Sequence, residues 1–348
     1  MCDPTGLLIY LSLLSILSIG IFYNNFFILY FGILLSSLVA SFRADAGVDT
    51  FLYIKRFEEI DLGLIGLNQL NPIEPILTLL MWTTKTLGLG FEFFSFLISM
   101  IVGIIYLRIF KFFPNAKYFG LACFPVIYID SIFNGVRIGL GYPLVFHAIV
   151  YSSLIVAILA FFTHLSTIVT LPLVVLIKRS FTKAIGLSFA LIFLTSFVYY
   201  ELIVNEFLIK FFQYQNIYTR NLYSGIADSS LLFVALISLA ISRRIFGKKL
   251  IFISLFILIS IVIFHVLFIS NYVFLLRVVR LLSIIIFAII ATSNQKINPM
   301  IIKICFFFGL LYSLNFLRQI NDTCSYELNN GFLPLTPKIS HSLFEVGL

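Results

Sequence analysis

Runs of Leu, Ile, Val and Phe broken by short polar stretches recur along the whole chain. Apolar segments fall near 6–22, 25–42, 73–88, 93–110, 118–132, 138–150, 152–163, 165–177, 184–200, 229–242, 250–269, 272–292 and 300–317. A helix needs ~20 apolar residues to cross a bilayer's hydrocarbon core, and most of these segments approach that length. The pattern therefore predicts an all-α, polytopic integral membrane protein with about 10–13 transmembrane or re-entrant helices. Several segments are too short to cross without help from their neighbours. The segment 73–88, which begins among Pro72 and Pro75, is expected to be re-entrant or partial. The first segment lacks a basic leader and a small-residue cleavage site, so it is expected to be a retained helix. Without an internal repeat or a linker rich in Gly or Ser, residues 1–348 read as one membrane domain, and an inverted-repeat transporter gains no support.

Composition strengthens this reading. The chain is 61% hydrophobic and 11% charged, against roughly a quarter charged in a soluble domain. A net charge of +8 in a soluble protein would suggest nucleic acid, but here the 23 Lys and Arg are scattered between apolar spans, and no nucleic-acid partner is expected. The basic clusters Lys111/Lys117, Lys178/Arg179/Lys183, Arg243/Arg244/Lys248/Lys249 and Lys296/Lys303 flank short connections, which the positive-inside rule assigns to the cytoplasm. The remaining polar stretches then fall on the outer face: the loop near 43–72, residues 134–137, His164, the loop near 201–229, the turn at 270–280 and a tail over 318–348. Cys2, Cys123, Cys305 and Cys324 have neither zinc spacing nor a disulfide pattern, so no metal is expected.

Four groups on that outer face could carry chemistry. Arg43, Asp45, Gly47, Asp49 and Tyr53 follow an apolar helix directly. They offer an arginine for phosphate, carboxylates for a hydroxyl proton and an aromatic ring for a sugar face, or only ordinary interfacial charges. Nearby Lys55, Arg56, Glu58, Glu59 and Asp61 read as the solvated face of an amphipathic stretch. Arg137, in Asn134-Gly-Val-Arg-Ile-Gly-Leu-Gly141, stands at the start of an apolar helix, where free backbone N–H groups add to its charge. It suits a diphosphate there, or else it snorkels or pairs with Asp130. His164, between two apolar half-spans, could exchange a proton or remain a hydrogen-bonded helix residue. Arg277 and Arg280 lie one helical turn apart. The tyrosine-rich loop containing Tyr214, Tyr218 and Arg220 suits carbohydrate, although tyrosines also gather at membrane interfaces for physical reasons alone.

In order and spacing, Arg43 with Gly47-Val-Asp49 and Tyr53, Glu74-Pro75, Asn134-Gly-Val-Arg137, His164-Leu-Ser166 before Leu171-Pro172, and Arg277 resemble the EpsG-like branch of the Wzy polymerases. The resemblance spans roughly residues 40 to 290, and Ile138 stands where that family usually has Gln after the arginine. It implies a multi-spanning glycosyltransferase similar to the GT-C superfamily, acting at the outer face of the bacterial inner membrane. The substrates would be undecaprenyl-diphosphate-linked glycans, and the product an O-antigen or related polysaccharide. Arginines would stabilise the departing diphosphate, and His164, Asp45, Asp49 or Glu74 would take the acceptor's proton. No cofactor is implied, because a diphosphate leaves well without a metal. A flippase and a chain-length regulator are the implied protein partners. Two alternatives stay open: a flippase or transporter of the same lipid-linked sugars, and another membrane transferase such as an O-antigen ligase.

Overall fold

Asparagines, prolines and glycines set the helix ends. The computed structural model describes residues 4–42, 50–61, 75–133, 136–164, 167–168, 170–178, 226–241, 272–292 and 299–325. These residues form thirteen α-helices, numbered below in chain order, with 3-10 turns at 114–116 and 167–168 and no strand among them. The expected spans 184–200 and 250–269 lie outside the described residues.

Helices α1 (Pro4–Phe22) and α2 (Phe26–Ser41) form a hairpin. Its turn places Asn24 at φ +52, a left-handed conformation that asparagine tolerates better than most residues. Asn25 then caps α2, its Oδ1 accepting from the amides of Phe27 at 3.0 Å and Ile28 at 3.2 Å. The outward face of the hairpin is almost wholly apolar: Leu8, Phe22, Phe27 and Phe31 are each at least half exposed. Such a surface suits lipid rather than water.

Helix α3 (Thr50–Glu59) buries Tyr53, Phe57 and Ile60 and exposes Lys55, Arg56, Glu58 and Glu59, the amphipathic face that the sequence predicts. The stretch expected as a loop over 43–72 thus contains a helix, while 43–49 and 62–74 lie outside the described residues. Lys85 of α4 (Pro75–Thr86) donates to the carbonyls of Glu58 and Ile60, both at 2.6 Å, and so satisfies the C-terminal end of α3. At 12 residues, α4 is only ~18 Å long, well short of the ~30 Å hydrocarbon core.

Helix α5 (Phe91–Phe112) has 22 residues and is long and apolar enough to cross a membrane alone. It packs on α2 through small residues, and Tyr128 closes that seam from a third helix. The Tyr128 hydroxyl lies 3.3 Å from Ser37 Oγ and 3.2 Å from the carbonyl of Ser99.

The segment 118–132, expected as a single helix, is broken. A 3-10 turn (Pro114–Ala116) leads into α6 (Lys117–Ala122), and α7 (Phe124–Phe133) leaves at 68° to it. The backbone leaves the helical region at Cys123 (φ −159), and Pro125 beyond it has no N–H for the carbonyl of Leu121, so the helix cannot run through. That carbonyl meets α13 (Pro299–Ser325) at Gly309, where any side chain would collide with it. Helix α13 continues to Ser325, so the tail expected from 318 begins inside a helix.

Helices α8 (Val136–Val150) and α12 (Tyr272–Ala291) form the centre. Every residue from Leu281 to Ala291 is buried, the pattern of a helix enclosed on all sides. Helix α12 packs on α8 and on α11 (Ile226–Ile241). Around α8 stand α5, α7, α9 (Leu154–Thr163), α10 (Thr170–Lys178) and α12.

Candidate functional site

Two of the sequence-predicted groups border the first half of α8. Helix α7 reaches it through Asp130 and Ser131 and ends at Phe133, and α8 begins at Val136. Two glycines set the spacing on opposite sides of α8, because residues two apart on a helix lie about 200° around its axis. On one side, a Cβ at Gly139 would lie 2.7 Å from both the Cβ and the carbonyl oxygen of Ser131, so α7 rests directly on the backbone of α8. On the other, a Cβ at Gly141 would lie 3.3 Å from Thr167 Cγ2 and 3.6 Å from His164 Cβ. The His164 connection is therefore seated against Gly141.

Position 137 is four residues before Gly141, and so on the same face of α8 one turn nearer the helix start. This links two of the expected site positions by backbone register. Pro143 adds a further polar feature: lacking an N–H, it leaves the carbonyl of Gly139 without its donor in the helix.

Helix α9 runs back along α8 from a turn at 151–153, where Ser152 takes φ +50 and Ser153 caps the new helix. It stops at Thr163. His164 follows in extended backbone, and its carbonyl accepts from both the amide of Thr167 at 3.0 Å and its hydroxyl at 2.8 Å. These bonds fix the connection between two half-length helices, with the half-buried imidazole at its start. Thr163, Thr167 and Thr170 are buried around it. The Thr170 hydroxyl, in the first turn of α10, is buried with no hydrogen-bond partner among the described residues, and an unmet hydroxyl costs about 1–3 kcal/mol unless another group satisfies it.

Arg280 reaches the same region from α12. Its Nη1 donates to Asp130 Oδ2 at 2.5 Å, with the two side chains about a quarter and a fifth exposed. The sequence offered Asp130 as a partner for Arg137; the structure shows it paired with Arg280. Arg277 stands one turn nearer the start of α12.

Other expected residues lie elsewhere. Tyr53 is 2% exposed on the buried face of α3, beside Phe57, whose ring in turn packs against Phe91 and Phe94. His147, at the far end of α8, stacks on Tyr151 at 4.3 Å. Arg43, Asp45, Asp49, Glu74, Tyr214, Tyr218 and Arg220 lie outside the described residues. Sequence reasoning missed Thr167, Thr170, Gly139 and the freed carbonyl opposite Pro143. Of these, only the Gly-x-Gly-x-Pro pattern of 139–143 was visible as a signal.

The arrangement offers a helix N-terminus with an arginine position in its first turn, a second guanidinium held by a carboxylate, and an imidazole. A cationic end of this kind can bind an anion and exchange a proton close by. Residues 25–336 match the model described as the EpsG family, a span that contains every expected site residue. No curated protein and no solved structure matches the chain.

Proposed function

The chain belongs to the EpsG family, and from that premise we propose that it joins undecaprenyl-diphosphate-linked oligosaccharide units into an O-antigen or related polysaccharide. Family and apolar helices together make it a polysaccharide polymerase-like membrane protein. The finer reading adds a multi-pass, GT-C-like bundle in the bacterial inner membrane, with the Val136 end of α8 toward the periplasm. Two observations support it: the His164 connection packs on Gly141, on the face of α8 that carries position 137, and the Arg280–Asp130 pair lies beside the start of the same helix.

In this reaction the bond between the anomeric carbon of the growing glycan and its diphosphate oxygen breaks. Undecaprenyl diphosphate leaves with the electron pair. A hydroxyl oxygen of the incoming unit bonds to the anomeric carbon, and its proton passes to a base. Arg137, Arg277 and Arg280 are assigned to the diphosphate, whose charge grows as the bond breaks. His164 is assigned as the base, with Asp45, Asp49 and Glu74 as the alternative carboxylates. Arg43, Tyr214, Tyr218 and Arg220 are assigned to the glycan and its lipid-linked phosphates, while Tyr53, buried on α3, is left out of that set.

Purified protein supplied with lipid-linked repeat units tests the assignment. A ladder of longer glycans is expected, and movement of units across a vesicle membrane without new bonds would establish a transporter instead. Arg137→Ala should slow the ladder on the order of 10²–10³-fold, the equivalent of a lost charge-assisted contact in a water-poor site. Arg137→Lys should recover only part of this, because the planar fork is lost while the charge remains. His164→Ala should abolish or severely slow chain growth at normal abundance. Normal chains from that variant would pass the role of base to the carboxylates.

A further inference from the structure

Asp130 has no role in the mechanism above, yet it is the group that the structure joins to Arg280. The partners stand 150 residues apart in the chain, one near the end of α7 and the other in α12. Both flank the start of α8, since Ser131, the residue after Asp130, is the one that packs on Gly139. Resting on the polymerase reading, we propose that Asp130 is a positioning residue of the transfer site, holding the Arg280 guanidinium at the start of α8 without itself touching substrate.

The argument is one of direction and of charge. An arginine side chain is long and rich in rotamers, and its planar fork recognises phosphate oxygens only in a fixed orientation. Seizing Nη1 with a carboxylate sets the plane and direction of that fork before substrate arrives. The carboxylate also offsets much of the charge on Arg280, which weakens attraction for a diphosphate in the ground state. Orientation counts most as the bond to the diphosphate breaks and its negative charge grows, so the pair favours turnover over tight resting binding. A carboxylate that served only to tie α7 to α12 would show neither property.

Steady-state kinetics of full-length protein with lipid-linked repeat units separate the two. Asp130→Asn keeps the shape and removes the charge, and it should lower kcat by about tenfold or more while KM stays level or falls. Asp130→Glu should recover part of the rate. The double variant Asp130→Asn/Arg280→Gln replaces the ion pair by a neutral one, which should fold comparably and remain slow. Wild-type kcat in Asp130→Asn at matched abundance overturns the proposal, as does full activity in the double variant. If neither neutral variant accumulates, the pair belongs to the fold rather than the site, and the proposal fails equally. No ladder from the wild-type protein sinks the polymerase reading itself, a result distinct from all of these.

Discussion

A methyl group added at Gly139 and one added at Gly141 meet different surroundings, and the difference separates stability from activity. At 139 it would sit 2.7 Å from the backbone oxygen of Ser131, an atom that cannot move without moving α7. Gly139→Ala should therefore destabilise the protein by about 1–3 kcal/mol, read as lower abundance and a lower Tm in detergent. At 141 the nearest atom is a side-chain methyl at 3.3 Å. Gly141→Ala should accumulate normally but displace the His164 connection, and so slow chain growth more than it lowers Tm; an unchanged rate would detach His164 from the proposed site. At this scale the sequence was informative where a single residue carries its own context. Arg137 at a helix start and His164 between half-spans were legible because both features are local. The Asp130–Arg280 pair was not legible, since nothing near either residue specifies a partner 150 positions away.

At the scale of elements, proline explains the main departure from the expected helices. The apolar pattern of 118–132 is continuous, and periodicity alone cannot show that Pro125 strands the carbonyl of Leu121. In a water-poor interior such a carbonyl must lie against something, and Gly309 lets α13 approach it closely. Gly309→Ala should separate α13 from α6 and cost about 1–3 kcal/mol or more, seen as faster proteolysis of the folded protein. Near-wild-type resistance would mean that α6 and α13 can part at no cost. Helix α3 was half legible: its charged face was recognised, but the surrounding polar residues led to an expectation of loop. Phe57 packs on Phe91 and Phe94 of α5, the Lys85 amine caps the last turn, and neither contact is local.

For the molecule as a whole, the apolar outer surface of α1 and α2 makes lipid the natural surroundings, and the basic clusters supply a direction. Cysteine probes at Ser180 and Gly247 should react only from the cytoplasm, and probes at Asn216 and Asn330 only from outside. Labelling of Asn216 and Gly247 from the same side would remove the outer-face site. The enclosure of α12 has a consequence for how the protein is made. Helix α8, the surface it must meet, is synthesised more than a hundred residues earlier, so for much of translation the middle of the bundle is missing its central post. Until Leu281–Ala291 are inserted, the exposed flank of α8 has to be covered by lipid or by the insertion machinery. A late step of assembly is then the entry of a nearly featureless apolar rod into a slot prepared for it, carrying Arg280 to Asp130. A nascent chain that stalls before α12 lacks both its centre and one of its charges, so the filling of the centre and the delivery of Arg280 are a single event.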